Sequence, residues 1–229
     1  MDISALKSAN AQRWSKAKSL RVADCAAVAK RLVAAKGRYQ AVEMKCGVPW
    51  HAIAVIHERE ASQAWNTQLG QGDPLSKVST HVPKGRGPFN TWEEGAYDAL
   101  VNCAPYAGRN RDWSVGGTLT LLEQYNGLGY FNRGLPSPYI WAGTDQYAKG
   151  KYIRDGVFDP NVVDTQLGCA GLLIAMRALD PSIKLDGNPA VVLVQSPPTA
   201  PQIAASNIPS VTNPAPGSIG AWIKSKFWG

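Results

Sequence analysis

Apolar residues recur at helical spacing along 3–18 and again along 22–45, where Val22, Ala26, Ala29, Leu32, Val33 and Ala41 alternate with basic positions. Gly47 and Pro49 interrupt this unit, and Trp50 to Ser62 restarts as a short helix with the proline at its entry. From Gln63 to Asn90 no helical period is sustained, and Gly70, Gly72, Pro74, Pro83, Gly85, Gly87 and Pro88 mark a looped or hairpin region. Helical spacing returns over Thr91 to Asn102, where Thr91 and Glu94 form a capping-box pattern, and over Ser114 to Tyr125. A second Gly/Pro-rich stretch, 127–156, precedes a last apolar helix from about Val162 to Leu179. The pattern predicts a mainly helical α+β fold cut by two loop-rich segments, in place of a plain helical bundle.

Between Ser196 and Gly217 prolines accumulate and no charged residue occurs, a composition suited to an extended linker. The expected organisation is one folded domain over 1–188, with its N-terminal helices 3–46 packed on it, a linker over 189–217 and an apolar, basic tail over 218–229. In that tail Trp222, Ile223, Phe227 and Trp228 accompany Lys224 and Lys226; such a segment either lies on an anionic membrane surface or docks back on the domain.

Charge adds a partner class. The chain carries 24 Lys and Arg against 17 Asp and Glu, a surplus of +7 that favours polyanions: nucleic acid, anionic lipid or bacterial wall. The basic residues are dispersed and no recognition helix stands out, which argues against nucleic acid. No apolar run approaches the roughly 18–20 residues that cross a bilayer, and the first residues lack the apolar core of a secretory signal, so synthesis in the cytoplasm is expected. Cys25, Cys46, Cys103 and Cys169 form no CxxC pair and are expected as buried free thiols.

The chemistry concentrates in PWHAIAVIHEREAS. On a helix, Ile53, Ile56, His57 and Glu60 share one face, which aims Glu60 at the core, while Glu58 lies about 200° round the axis from Glu60. A carboxyl group desolvated by apolar neighbours resists ionising and suits a general acid. The plainer alternative is an ion pair of Glu60 with Arg59, His57 or another base. The glycine-rich segment that follows supplies a second carboxylate, Asp73 in GQGDPL, and a hydroxyl, Thr80 in VSTHVP; an acid facing a loop-borne carboxylate is the arrangement of glycoside hydrolysis. An Asx-turn role for Asp73 is the plainer reading there.

IHEREAS resembles the Arg-Glu-Ser segment of goose-type lysozymes and soluble lytic transglycosylases, with Ala61 in place of the serine, and LLEQYNGLGY resembles the Tyr-Asn segment of the transglycosylases. Together with NTQLGQGDPL, HVPKGRGPF, WEEGAYDAL and SPYIWAGTDQYAKGKYIRDG, these stretches are similar to phage and prophage endolysins of the lysozyme superfamily, over about residues 20–185. The resemblance implies a lysozyme-like fold with a loop or small hairpin lobe across a cleft. It implies a muramidase cleaving the β-1,4 bond between N-acetylmuramic acid and N-acetylglucosamine, acting as a monomer without metal or organic cofactor. Glu60 would be the acid, Asp73 and Thr80 would hold the attacking water, and Tyr125 and Asn126 would line the sugar cleft. Ala61 favours hydrolysis over the anhydro-sugar-forming transglycosylase reaction. The enzyme would reach the periplasmic wall after holin-type release.

The chain has 8 Trp and 8 Tyr, and Trp65, Trp92, Tyr139 and Trp141 fall in or beside loops, where their rings either stack on sugars or pack inward. A zinc peptidase site would have to draw on His57, Glu60 and His81, since no HExxH occurs and His51 and His57 point to different sides of a helix. A cysteine amidase lacks a recognisable nucleophile setting. A wall-binding module with an inactive domain of this kind would leave much the same sequence.

Overall fold

The computed structural model describes residues 2–185. The expected boundary at 188, the linker 189–217 and the tail 218–229 lie outside the described residues.

Helix α1 spans Ile3–Lys16, opened by Asp2, whose carboxylate accepts the Ser4 backbone N–H at 2.9 Å. The expected single helix over 22–45 is two, α2 (Val22–Ala34) and α3 (Lys36–Cys46), separated at Ala35 with φ −89° and ψ 8°. Ala35 is itself a good helix former, but Gly37, the second residue of α3, is a poor one and sits beside the break. Lys36 Nζ is drawn to Asp180 at 2.6 Å, and the redirected α3 delivers Tyr39 and Val42 fully into the core. Gly47, at φ 72°, closes α3 in the left-handed region that glycine enters freely.

Helix α4 (Trp50–Ala61) is the central strut, and every residue from Trp50 to His57 is buried. Glu60 and His57 are buried as their shared face predicts, and the burial goes further round the helix, since His51 and Arg59 are also withdrawn from solvent. Glu58 stays near the surface, paired with Arg31 at 3.3 Å. Helix α5 (Trp92–Val101) realises the expected capping box. Glu94 N–H donates to Thr91 Oγ1 at 3.2 Å, and Glu94 Oε2 accepts Asn90 N–H at 2.9 Å. A 3-10 turn at Ala107–Arg109 leads to α6 (Val115–Asn126), capped by Ser114.

Two single-turn helices follow, α7 (Gly129–Asn132) and α8 (Pro138–Trp141). Strands β1 (Lys151–Arg154) and β2 (Val157–Asp159) pair antiparallel, with Lys151 opposite Asp159 and Tyr152 opposite Phe158. The hairpin therefore sits at the end of the second loop-rich segment, with β1 inside it. Over 63–90 the chain shows only an isolated bridge between Thr67 and Pro74. The last helix, α9 (Cys169–Leu179), begins at Cys169, later than the expected Val162.

Backbone packs close at two seams. A methyl built on Gly116 of α6 would meet the Lys7 carbonyl of α1 at 2.8 Å, and one on Gly171 of α9 would meet Cys25 Sγ of α2 at 3.1 Å. All four cysteines are free and buried, and burial pushes the Cys169 thiol up to about 12. Around α4 the core gathers Ile53, Ile56, Leu100, Leu119, Leu122, Leu172 and Trp141, each at most 0% exposed. Burying an aliphatic side chain of this kind stabilises the fold by about 1.5–3 kcal/mol. The described part is thus α+β and mainly helical, and none of its helices is long and apolar enough to cross a membrane.

Candidate active site

Glu60 occupies the last turn of α4 and is 2% exposed. Tyr139, in α8, donates its hydroxyl hydrogen to Glu60 Oε1 at 3.0 Å. Pro138 starts that short helix and the Ala142 N–H closes onto its carbonyl, so the Tyr139 ring is presented from a rigid turn. Tyr125, in the last turn of α6, is the second phenol near the acid. Burial, and then the neighbouring Glu60 charge, push its hydroxyl well above the ordinary tyrosine value. The same two causes, in the same order, raise Tyr139. Asn126 is buried beside Tyr125, just before Gly127, where φ 105° ends α6 in a region closed to residues with a side chain.

The expected alternative partners of Glu60 are engaged elsewhere. Arg59 Nη2 donates to Asp164 Oδ2 at 3.1 Å and Nη1 to the Leu167 carbonyl at 3.2 Å, while its guanidinium carbon lies 4.8 Å from the Tyr139 ring centroid. Lys151 of β1 holds the other Asp164 oxygen at 2.9 Å. Burial alone would raise the Asp164 carboxyl, but these two cations outweigh it and keep it below the usual carboxylate range. Sequence reasoning missed this network. Arg59 was visible beside Glu60, but nothing in Val163-Asp164-Thr165 marks an ion-pair partner.

His57 is fully buried and belongs to a chain of fixed donors. Gln63 Nε2 donates to Tyr39 Oη at 3.2 Å, Tyr39 Oη donates to His57 Nδ1 at 3.1 Å, and His57 Nε2 donates to the Ala64 carbonyl at 3.0 Å. Burial lowers the imidazole to about 4, so it is neutral at pH 7. With both ring nitrogens engaged, His57 is not placed as a zinc ligand. Among the described residues no group of three or more His, Cys, Asp or Glu side chains is arranged to hold a metal ion.

Asp73 and Thr80 are brought together, and His81 joins them. Asp73 Oδ2 accepts the backbone N–H of Thr80 at 3.1 Å and of His81 at 3.2 Å; Oδ1 accepts Thr80 Oγ1 at 3.2 Å and His81 Nδ1 at 3.0 Å. Burial would raise this carboxyl, but the His81 and Thr80 hydrogen bonds outweigh it and hold it below the usual carboxylate value. The bonds reach seven and eight residues along the chain, so Asp73 staples two arms of the 63–90 loop instead of forming a local Asx turn. This loop starts against the Glu60 neighbourhood: a methyl built on Gly70 would lie 4.0 Å from the Tyr125 hydroxyl.

Of the expected stacking rings, Trp92 and Trp141 are 1% and 0% exposed and Tyr139 is 2% exposed. Their indoles and phenol are core elements, so of the two expected roles these three rings take inward packing and do not form open sugar platforms. Trp65 is half-buried in an aromatic group with Tyr39, His57 and Trp92, and the Arg38 guanidinium lies 3.8 Å from its ring centroid. Two surface grooves lie elsewhere, one of about 600 Å³ beside Lys45, Glu93 and Tyr97, the other of about 450 Å³ beside Leu20, Arg21 and Val163.

No protein-family model matches the chain, and neither a curated protein nor a solved structure matches it.

Proposed function

We propose that the protein is a peptidoglycan-degrading muramidase of lysozyme-like fold, cleaving the β-1,4 bond between N-acetylmuramic acid and N-acetylglucosamine, with Glu60 as general acid. One observation carries the reading: a glutamate withdrawn from solvent at the end of the central helix, its Oε1 fixed by the Tyr139 hydroxyl. A proton donor must be held in one geometry and shielded from competing water, and this side chain meets both requirements. The resemblance of IHEREAS and QYNGLGY to lysozyme and transglycosylase segments supplies the substrate class. The +7 surplus supports an anionic wall polymer as the partner.

In this reading Glu60 protonates the glycosidic oxygen as its bond to the anomeric carbon breaks, and Tyr139 and Tyr125 keep the carboxyl in place. Release into the periplasm by a holin, and membrane contact through the tail, belong to the same proposal.

The test is Glu60→Gln on purified peptidoglycan. The variant is expected to lose clearing by at least 10²-fold while keeping its fold. Persistence of clearing removes the acid assignment, and a wild type that binds but never clears the wall makes the protein a binding module. Mass spectrometry of the products separates the two reactions, since 1,6-anhydro ends mark a lytic transglycosylase and reducing ends a hydrolase.

A further inference from the structure

An ionised carboxylate offers about four lone-pair sites for hydrogen bonds. At Asp73 four donors occupy them: two backbone N–H groups, the Thr80 hydroxyl and the His81 ring. A carboxylate saturated in this way and held below its usual range is a poor base and has no lone pair left for an incoming water. Its contribution is directional. Because a carboxylate only accepts, His81 must present Nδ1–H to Asp73, which fixes the tautomer and leaves Nε2 as the acceptor of the neutral ring. The His81 side chain is 58% exposed, against 10% for Asp73, so the reactive edge of this pair is the imidazole.

We propose that His81, oriented by Asp73, is the group that takes the proton of the attacking water in the muramidase reaction. The inference rests on the proposed function and adds to it a water-activating base outside the Glu, Asp and Thr set. Two features tie the loop that carries it to the surroundings of the acid. The 63–90 loop packs its Gly70 against Tyr125, which lies in the field of Glu60, and Gln68 N–H donates to the Asp73 carbonyl at 2.7 Å, folding the intervening residues into one tight turn. Thr80 Oγ1 spends its hydrogen on Asp73, so beside His81 it keeps only the capacity to accept.

The step balances without a cofactor. The water oxygen bonds to the anomeric carbon as the carbon–oxygen bond to the leaving sugar breaks. The leaving oxygen takes the Glu60 proton, and His81 Nε2 takes a proton from the water. Solvent then removes that proton from His81 and reprotonates Glu60. The displacement is single and inverts the anomeric configuration.

The experiment measures release of reducing ends from purified peptidoglycan by the full chain and by His81→Ala, with and without added imidazole, beside Asp73→Asn and the double variant. His81→Ala is expected to lose about 10²–10⁴-fold in rate, since positioned proton transfer contributes that much, with only a small fall in the unfolding midpoint from the lost bond to Asp73. Added imidazole should restore part of the rate, which a structural defect would not allow. The double variant should cost no more than the worse single one, because the two residues act as a unit. A rate for His81→Ala within threefold of the wild type, or a loss that imidazole does not relieve, overturns the proposal while the muramidase reading stands. Wild-type products carrying only 1,6-anhydro ends overturn it as well, since no water then attacks. An inactive wild type, or an active Glu60→Gln, removes the underlying reading itself.

Discussion

Arg59 Nη2 lies 3.1 Å from Asp164 Oδ2 with the two side chains only 6% and 3% exposed. This ion pair joins the end of α4 to the segment between the hairpin and α9, and Lys151 of β1 completes it on the other carboxylate oxygen. Asp164→Ala strands a buried guanidinium, and the expected loss is about 3–5 kcal/mol of stability. Arg59→Lys should recover little, because an ammonium cannot serve Asp164 and the Leu167 carbonyl together while covering the Tyr139 ring. Urea unfolding of the variants checks this, and a loss under about 1 kcal/mol for Asp164→Ala would contradict a buried, load-carrying pair.

Tyr139→Phe removes one hydroxyl and keeps the ring over Arg59. A hydrogen bond to a carboxylate contributes about 1.5–3 kcal/mol, so wall-clearing activity should fall roughly 10- to 150-fold with the Michaelis constant little changed. An unaltered turnover number would show that the bond to Glu60 does not orient the acid.

Glu123 sits 1% exposed in α6, facing α1, where Asn10 Nδ2 donates to its Oε2 at 3.2 Å. Burial raises its carboxyl from 4.5 to about 7, only partly offset by Asn10 and by Arg13. The folded state therefore holds this proton more tightly than the unfolded state. The associated stability is fully present below about pH 4.5 and is lost as pH rises through 7. The total is roughly 3 kcal/mol. Glu123→Gln keeps the acceptor for Asn10 without the charge, so the difference in unfolding free energy between variant and wild type should grow from pH 5 to pH 8. Parallel pH curves for the two proteins would refute the linkage.

Gly168 precedes α9, and a methyl built there would meet the Ile140 carbonyl oxygen at 2.5 Å and the Ala142 nitrogen at 2.7 Å. Both contacts are backbone and cannot rotate aside. Gly168→Ala should cost about 1–3 kcal/mol, and because it pushes on α8 it should also disturb Tyr139 and lower activity beyond the loss of folded protein. The corresponding change at Gly70, where the nearest atom would be Ala99 Cβ at 3.4 Å, should be far milder in calorimetry.

The inward placement of Glu60 was legible because Ile53 and Ile56 mark its helix face, and the start of α5 was legible because Thr91 and Glu94 cap locally. The break at Ala35 was not, since the apolar spacing runs on through it and one glycine, Gly37, does not say where a helix divides. The strands were hidden by their length: three or four residues carry too little alternation to read. The extended course of 162–168 follows from distant partners, with Asp164 N–H donating to Tyr147 Oη at 3.0 Å and Gly168 N–H to the Ala142 carbonyl at 2.8 Å. The saturation of Asp73 by His81 was equally out of reach, because VSTHVP gives no sign of how the loop closes on itself.

Cys25, Cys46, Cys103 and Cys169 are all the cysteines of the chain, and each is buried. A disulfide reagent added to the native protein can therefore react only when the surrounding structure opens. Cys25 and Cys169 lie at the junction of α2 with α9, whereas Cys46 closes α3 and Cys103 follows α5. The molecule thus carries its own unfolding reporters in three places, and a cysteine substituted at exposed Met44 would be the single site open to labelling in the folded state.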